Sequence, residues 1–155
     1  MRILINILSL SFILILPLLS VPAYSEDSKD GEGGNFFEFK EHKIFYTLFS
    51  STFIPSDIAK SYKLKRSKYQ SYLNVMVNPK GQHGGISAEI NGTIKNLIQQ
   101  QKELKFIKIQ EKNTVYYLAP IRVNGEETLH FEINAKLTTG KNLNFKFSKK
   151  LYSDL

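Results

Sequence analysis

Between Tyr62 and Tyr69 the chain places the cations Lys63, Lys65, Arg66 and Lys68, with Lys60 just upstream. Ammonium and guanidinium groups at this density raise the local positive potential and draw anions: lipid headgroups, envelope polysaccharide or a protein partner. Interleaved aromatics also occur on surfaces that stack nucleic-acid bases. The plainer role for such a run is a solvated face that keeps the protein soluble.

Other residue types capable of chemistry are present but not in working arrangements. The histidines His42, His83 and His130 are too far apart in sequence for ligand spacing, and a zinc site needs three or four convergent ligands. There is no cysteine, which removes thiolate metal sites, thiol catalysis and disulfides. "KGQHGG", Lys80 to Gly85, lacks the order of a phosphate loop, in which Gly-Lys-Ser/Thr opens a helix. It reads as a flexible strand connection. Ser51 and Thr52 lie outside any Gly-x-Ser-x-Gly elbow, and local hydrogen bonding ahead of a helix accounts for them. Asn91-Gly92-Thr93 spells a glycosylation sequon but is expected to mark a bend in a strand. The chain is therefore read as noncatalytic, with no cofactor and no metal.

Any surface must be carried by the fold. After Met1-Arg2 the apolar run "ILINILSLSFILILPLLS" leads to "VPAYSED", the form of a secretory signal peptide with cleavage after Ser25 or Ala23. A retained anchor is the alternative, since Ile3 to Leu19 approaches the ~20 apolar residues that span a bilayer. Pro17 and the Ala-Tyr-Ser ending suit cleavage better. The expected location is the periplasm, with no stable membrane insertion once the peptide is removed, and export argues against a nucleic-acid partner. Removing residues 1–25 takes one cation, Arg2, from 21 basic and 14 acidic residues, so 21 − 1 − 14 leaves about +6. "EDSKDGEGGN", residues 26–35, is polar, Gly-rich and aperiodic, and reads as a flexible leader. Residues 36–155 then form one domain held by packing and hydrogen bonding alone.

In that domain, Leu129, Phe131, Ile133, Ala135 and Leu137 alternate with polar residues, as do Leu143, Phe145 and Phe147 beyond "TTGK". Period two means half-buried strands, here joined as a hairpin. Leu73, Val75 and Val77 repeat the pattern, as do Ile86, Ala88 and Ile90. "FFEFK" and "HKIFYTLFS" supply the first strands. "ELKFIKIQ" changes phase between Leu104 and Ile107, which suggests a bulge near Phe106 or burial on both faces. "VYYLAPIRV" ends at Asn124-Gly125, a hairpin signal; burial of Val115, Tyr117, Ala119 and Ile121 favours a three-residue loop pairing Ile121 with Leu129, the alternative being a two-residue turn that pairs Arg122 with Glu127 and buries Tyr116 and Leu118.

Only the segment Ser51 to Gln70 breaks the alternation. Pro55 suits a first helical position, Asp57 the first turn, and Ile58, Ala59 and Tyr62 one apolar face. About two helical turns cannot stand alone, so they must dock, most simply over an open end of the domain. The expected architecture is a mainly β, antiparallel two-sheet immunoglobulin-like sandwich of seven or eight strands with one short inserted helix. A closed barrel is the alternative.

The stretch "FYTLFSSTFIPSDIAKSYKLKRSKYQSYLNVMV", with Ser51-Thr52-Phe53, Pro55, Arg66-Ser67-Lys68 and Asn74-Val75, resembles exported gammaproteobacterial proteins of domain-of-unknown-function family 4426. "NLI" at Asn96, "YYLA" at Tyr116 and "EETLHF" at Glu126 are also similar, so the likeness covers most of the mature chain. It implies a compact, exported, β-rich bacterial domain and supplies no catalytic residue. The residues lead to a periplasmic binding or accessory module whose candidate surface is Lys63, Lys65, Arg66, Lys68, Tyr62 and Tyr69. The alternative is an assembly protein that pairs an exposed sheet edge with a partner strand.

Overall fold

The computed structural model describes residues 25–27, 29–30 and 35–153; the segment expected to be a signal peptide lies outside them except for Ser25. Two sheets face each other. One runs β1 (Ser25–Asp27), β11 (Asn142–Tyr152), β10 (Glu126–Leu137), β6 (Ala88–Asn96), β7 (Gln101–Glu103). The other runs β2 (Lys29–Asp30), β3 (Phe36–Glu38), β4 (His42–Ser50), β5 (Gln70–Pro79), β9 (Thr114–Arg122), β8 (Ile107–Glu111). All pairings are antiparallel except that of β1 with β11. The sandwich is thus the expected one. It has more strands than expected because β1, β2 and β7 are two or three residues long, too short to show a period. Apart from Ser25, β1 and β2 belong to the stretch read as a leader, which to that extent forms sheet edges.

The alternating sets meet between the sheets. Leu73, Val75 and Val77 of β5 and Ala119 and Ile121 of β9 face Phe131, Ile133 and Ala135 of β10 and Leu143 and Phe145 of β11. Phe131 stacks on Phe147, with centroids 4.5 Å apart, and Tyr46 lies 4.2 Å from the Phe147 ring. Removing this apolar area from water is the main drive of the fold. The β10–β11 hairpin has the expected register, with Phe131 opposite Phe147 and Ile133 opposite Phe145.

The β9–β10 expectation is corrected. These strands do not pair; they lie in different sheets, and Asn124-Gly125 is an arch between them. Val115, Tyr117, Ala119 and Ile121 are buried as expected; Ala119 and Ile121 pack into the core between the sheets, and Tyr117 Oη bonds the backbone of Ala88 in the opposite sheet. β9 is already bonded to β5 and β8, and β10 to β6 and β11, so neither has a free edge for the other. The phase change in "ELKFIKIQ" likewise marks a change of sheet. Leu104 enters the core between the sheets, whereas Ile109 is buried in a second cluster that includes no residue of the β10 sheet.

That second cluster holds the helix. α1 (Ser56–Ser61) packs with Ile54, Ala59 and Leu64 against Tyr72, Leu118 and Ile109, the outward-facing positions of β5, β9 and β8. It therefore docks on the outer face of a sheet and not over an open end, because β5 and β9 are apolar on both faces there. Pro55 is the N-cap residue rather than the first helical one, and Ile58 is exposed while Ala59 is buried. Gly92 lies inside β6, whose pairing with β10 runs unbroken from Ala88 to Asn96. It sits opposite Ile133, whose Cδ1 would be 2.6 Å from an added Cβ, so the glycine makes room for a core side chain.

Candidate functional site

α1 ends in left-handed geometry at Lys63 (φ 54°), with Lys63 N–H donating to Lys60 O at 3.2 Å and Leu64 N–H to Ala59 O at 2.7 Å. This pair of bonds is a Schellman motif, which glycine usually closes. It turns the chain so that Leu64 packs inward between two exposed lysines.

Beyond Leu64 the loop is tied to the sheet by backbone bonds. Lys65 N–H donates to Tyr72 Oη at 3.0 Å, and that hydroxyl donates back to Lys65 O at 3.2 Å. Gln70 Nε2 donates to the same two oxygens. Fully buried Ser51 donates to Ser67 O and accepts from Ser67 N–H, both at 2.8 Å. The expected local bond belongs to Ser50, whose Oγ accepts from Thr52 N–H at 3.3 Å; Ser51 bonds across the loop instead. Arg66 Nη2 donates to Thr52 O at 3.0 Å, joining the turn before the helix to the loop after it.

The candidate residues are thus brought together, but unequally. Lys63, Lys65, Arg66, Lys68 and Tyr69 are exposed; Tyr62 is half-buried. Lys68 Nζ lies 5.4 Å from the centre of the Tyr69 ring, within cation–π range. Tyr62 turns away from the cations and donates to Glu111 Oε1 at 2.6 Å, which raises its pKa. Tyr116 beside it is pushed up to about 12, by burial first and then by its own bond to Glu111. Tyr62 is therefore better described as a strut under the loop than as part of its surface.

Among the described residues no carboxylate forms an ion pair with Lys63, Lys65, Arg66 or Lys68. Elsewhere, Lys43 and Lys80 flank Glu38, Lys141 reaches Glu41, Lys146 reaches Glu132 and Lys150 reaches Glu126. Glu38 is accordingly held below its ordinary pKa, first by its bond from Lys80.

His130 Nδ1 lies 2.6 Å from Ser148 Oγ on the outer face of β10, and among the described residues no three His, Asp or Glu side chains converge to hold a metal. A cleft of about 390 Å³ opens between β7 and the end of β9, lined by Leu104, Ile121 and Leu129 with Lys102, Arg122 and Glu127 around it. No single stretch of sequence announces it, because its walls come from strands of both sheets.

A two-layer β-sandwich with one helix laid on an outer face and a pinned basic loop is the class defined by this geometry. The chain belongs to the family of the domain of unknown function DUF4426, whose model matches residues 36–154. It is similar to the crystal structure of a DUF4426 family protein of Pseudomonas aeruginosa, with 28% identity and a TM-score of 0.72 over 79% of this chain and 98% of that one. A copper-bound variant of FetP from uropathogenic Escherichia coli shares the fold at 14% identity and a TM-score of 0.50, over 79% and 96% of the two chains. No curated protein matches.

Proposed function

We propose that this is an exported, noncatalytic accessory module of the periplasm that engages an anionic envelope component through Lys63, Lys65, Arg66 and Lys68. The observation that carries the reading is the immobilised backbone under these cations. Ser51, Tyr72, Gln70 and Arg66 spend six side-chain hydrogen bonds on fixing a loop that contains no carboxylate. A face needed only for solubility gains nothing from such fixing, whereas a binding surface with a preset backbone loses less entropy on association. Arg66 serves partly as an anchor, and its planar multi-donor head suits that role better than lysine would.

The competing reading, strand addition at a sheet edge, meets an obstacle in β11. Among the described residues β1 covers β11 only at Asn142–Asn144, and the uncovered part carries Lys146, Lys149 and Lys150. Lysines along an edge discourage pairing. The test is an affinity pull-down from periplasmic extract with wild type and with Lys63, Lys65 and Lys68 all changed to glutamine. The module reading expects partners that the variant loses while its melting temperature is kept. Identical partners at low salt would return the loop to a solubilising role.

A further inference from the structure

We propose that the end of the sandwich bearing the basic loop docks on a lipid bilayer with anionic headgroups, its apolar tips entering the interface. The proposal rests on the reading of the loop as an anion-binding surface and names the anion's carrier.

Four chain segments reach this end. They are the stretch from β4 to β5, the β6–β7 turn, the β9–β10 arch and the end of β11. Their common location follows from pairing: Ser50 lies opposite Ser71, Gln70 opposite Arg122, Asn96 opposite Leu129 and Glu126 opposite Tyr152. Val123 N–H donates to Tyr69 O and Ser153 N–H to Gly125 O, so the two ends of the β9–β10 arch are fastened there, one to each sheet.

Large apolar side chains left in water are concentrated at the same end. Phe53 is 78% exposed, Leu97 67% and Ile98 74%, and Tyr69 and Tyr152 are also exposed. The opposite end, with turns at 80–83, 112–113 and 138–141, presents no large apolar side chain among the described residues. Single exposed apolar residues need no explanation, but three such side chains on two separate tips of one end do.

The occupant follows from shape and charge together. The tips come from different loops and enclose no groove, so a rigid partner would need a matching pit for each. A fluid interface accepts them without matching. Tyrosine favours the headgroup level, and basic residues beside apolar ones add attraction to anionic lipid. Lys68 against Tyr69 places one such pair at this end; Tyr152 adds a second tyrosine there, with Lys150 shared between its ring, 5.6 Å away, and Glu126.

The test uses the protein as isolated from its own cells, so that any N-terminal segment is common to every form compared. Sedimentation with phosphatidylcholine vesicles, with and without about a third phosphatidylglycerol, is measured beside retention on dextran sulfate. The forms are wild type, Phe53→Ser with Leu97→Ser and Ile98→Ser, and Lys65→Gln with Lys68→Gln. The apolar variant is expected to bind anionic vesicles at least about tenfold more weakly while its retention on dextran sulfate is unchanged. The lysine variant should lose both. The chain contains no tryptophan, so Ile98→Trp gives a single reporter whose emission should shift to the blue on anionic vesicles and not on phosphatidylcholine alone. Equal vesicle binding by wild type and apolar variant, no vesicle binding at low salt, or no blue shift would overturn the lipid proposal. Retention on dextran sulfate that still depends on the lysines would then leave the anion-binding reading standing.

Discussion

Ser51 has two neighbours that look equivalent in sequence, yet it alone is fully buried, with both hydrogen-bonding functions spent on Ser67. Ser51→Ala leaves the Ser67 amide and carbonyl without that partner and should cost about 1–3 kcal/mol, read as a lower midpoint in urea unfolding. An unchanged midpoint would mean that the loop is held by Tyr72 and Arg66 alone. Lys63 runs the other way. At φ 54° it bears strain that glycine lacks, so Lys63→Gly should stabilise by about 0.5–1 kcal/mol in the same assay. Tyr116 makes alkaline stability depend on pH. Its phenol ionises near 10 when unfolded and at about 12 when folded. The stabilisation is therefore complete below pH 10 and is lost as pH rises through 12, as a raised folded pKa requires. Melting temperatures taken across that window should fall less steeply in Tyr116→Phe; parallel curves would contradict this.

Strands were legible where one face is apolar and the other polar, as in β10 and β11, since period two needs no knowledge of partners. Partners themselves were not legible. Asn124-Gly125 looks like a hairpin turn, and only the saturation of β9 by β5 and β8 and of β10 by β6 and β11 makes it an arch. The phase change from Leu104 to Ile109 was legible as a break in the pattern, but not as the step from β7 in one sheet to β8 in the other, and β8 buries Ile109 alone. Glycines hid a further constraint. Val115 N–H donates to Gly85 O at 2.9 Å, and an added Cβ on Gly85 would sit 2.0 Å from Val115 O. The loop Lys80 to Gly85, expected to be flexible, is thus fastened at its far end. Gly85→Ala should cost more than about 2 kcal/mol by forcing the loop off β9. Thermal unfolding checks this, and a neutral result would show that the backbone there yields.

For the whole molecule, the cations of the candidate surface were readable one by one, and so was their position just after a helix. Their immobilisation was not, because it depends on Ser51, Tyr72 and Thr52 reaching them across the fold. Nor was the company they keep, since Leu97 and Ile98 come from another sheet. On the proposed reading, Lys63, Lys65 and Lys68, held on a fixed backbone, bind an anionic envelope component. The most direct measurement is the affinity of wild type and of the triple glutamine variant for that captured component, at low and at physiological ionic strength. Screening between charges grows severe once the Debye length falls to about 8 Å. Wild type should therefore weaken steeply with salt, and the variant should bind weakly at both strengths. Binding that is indifferent to salt and equal in the two proteins would contradict the claim and point to pairing at a sheet edge.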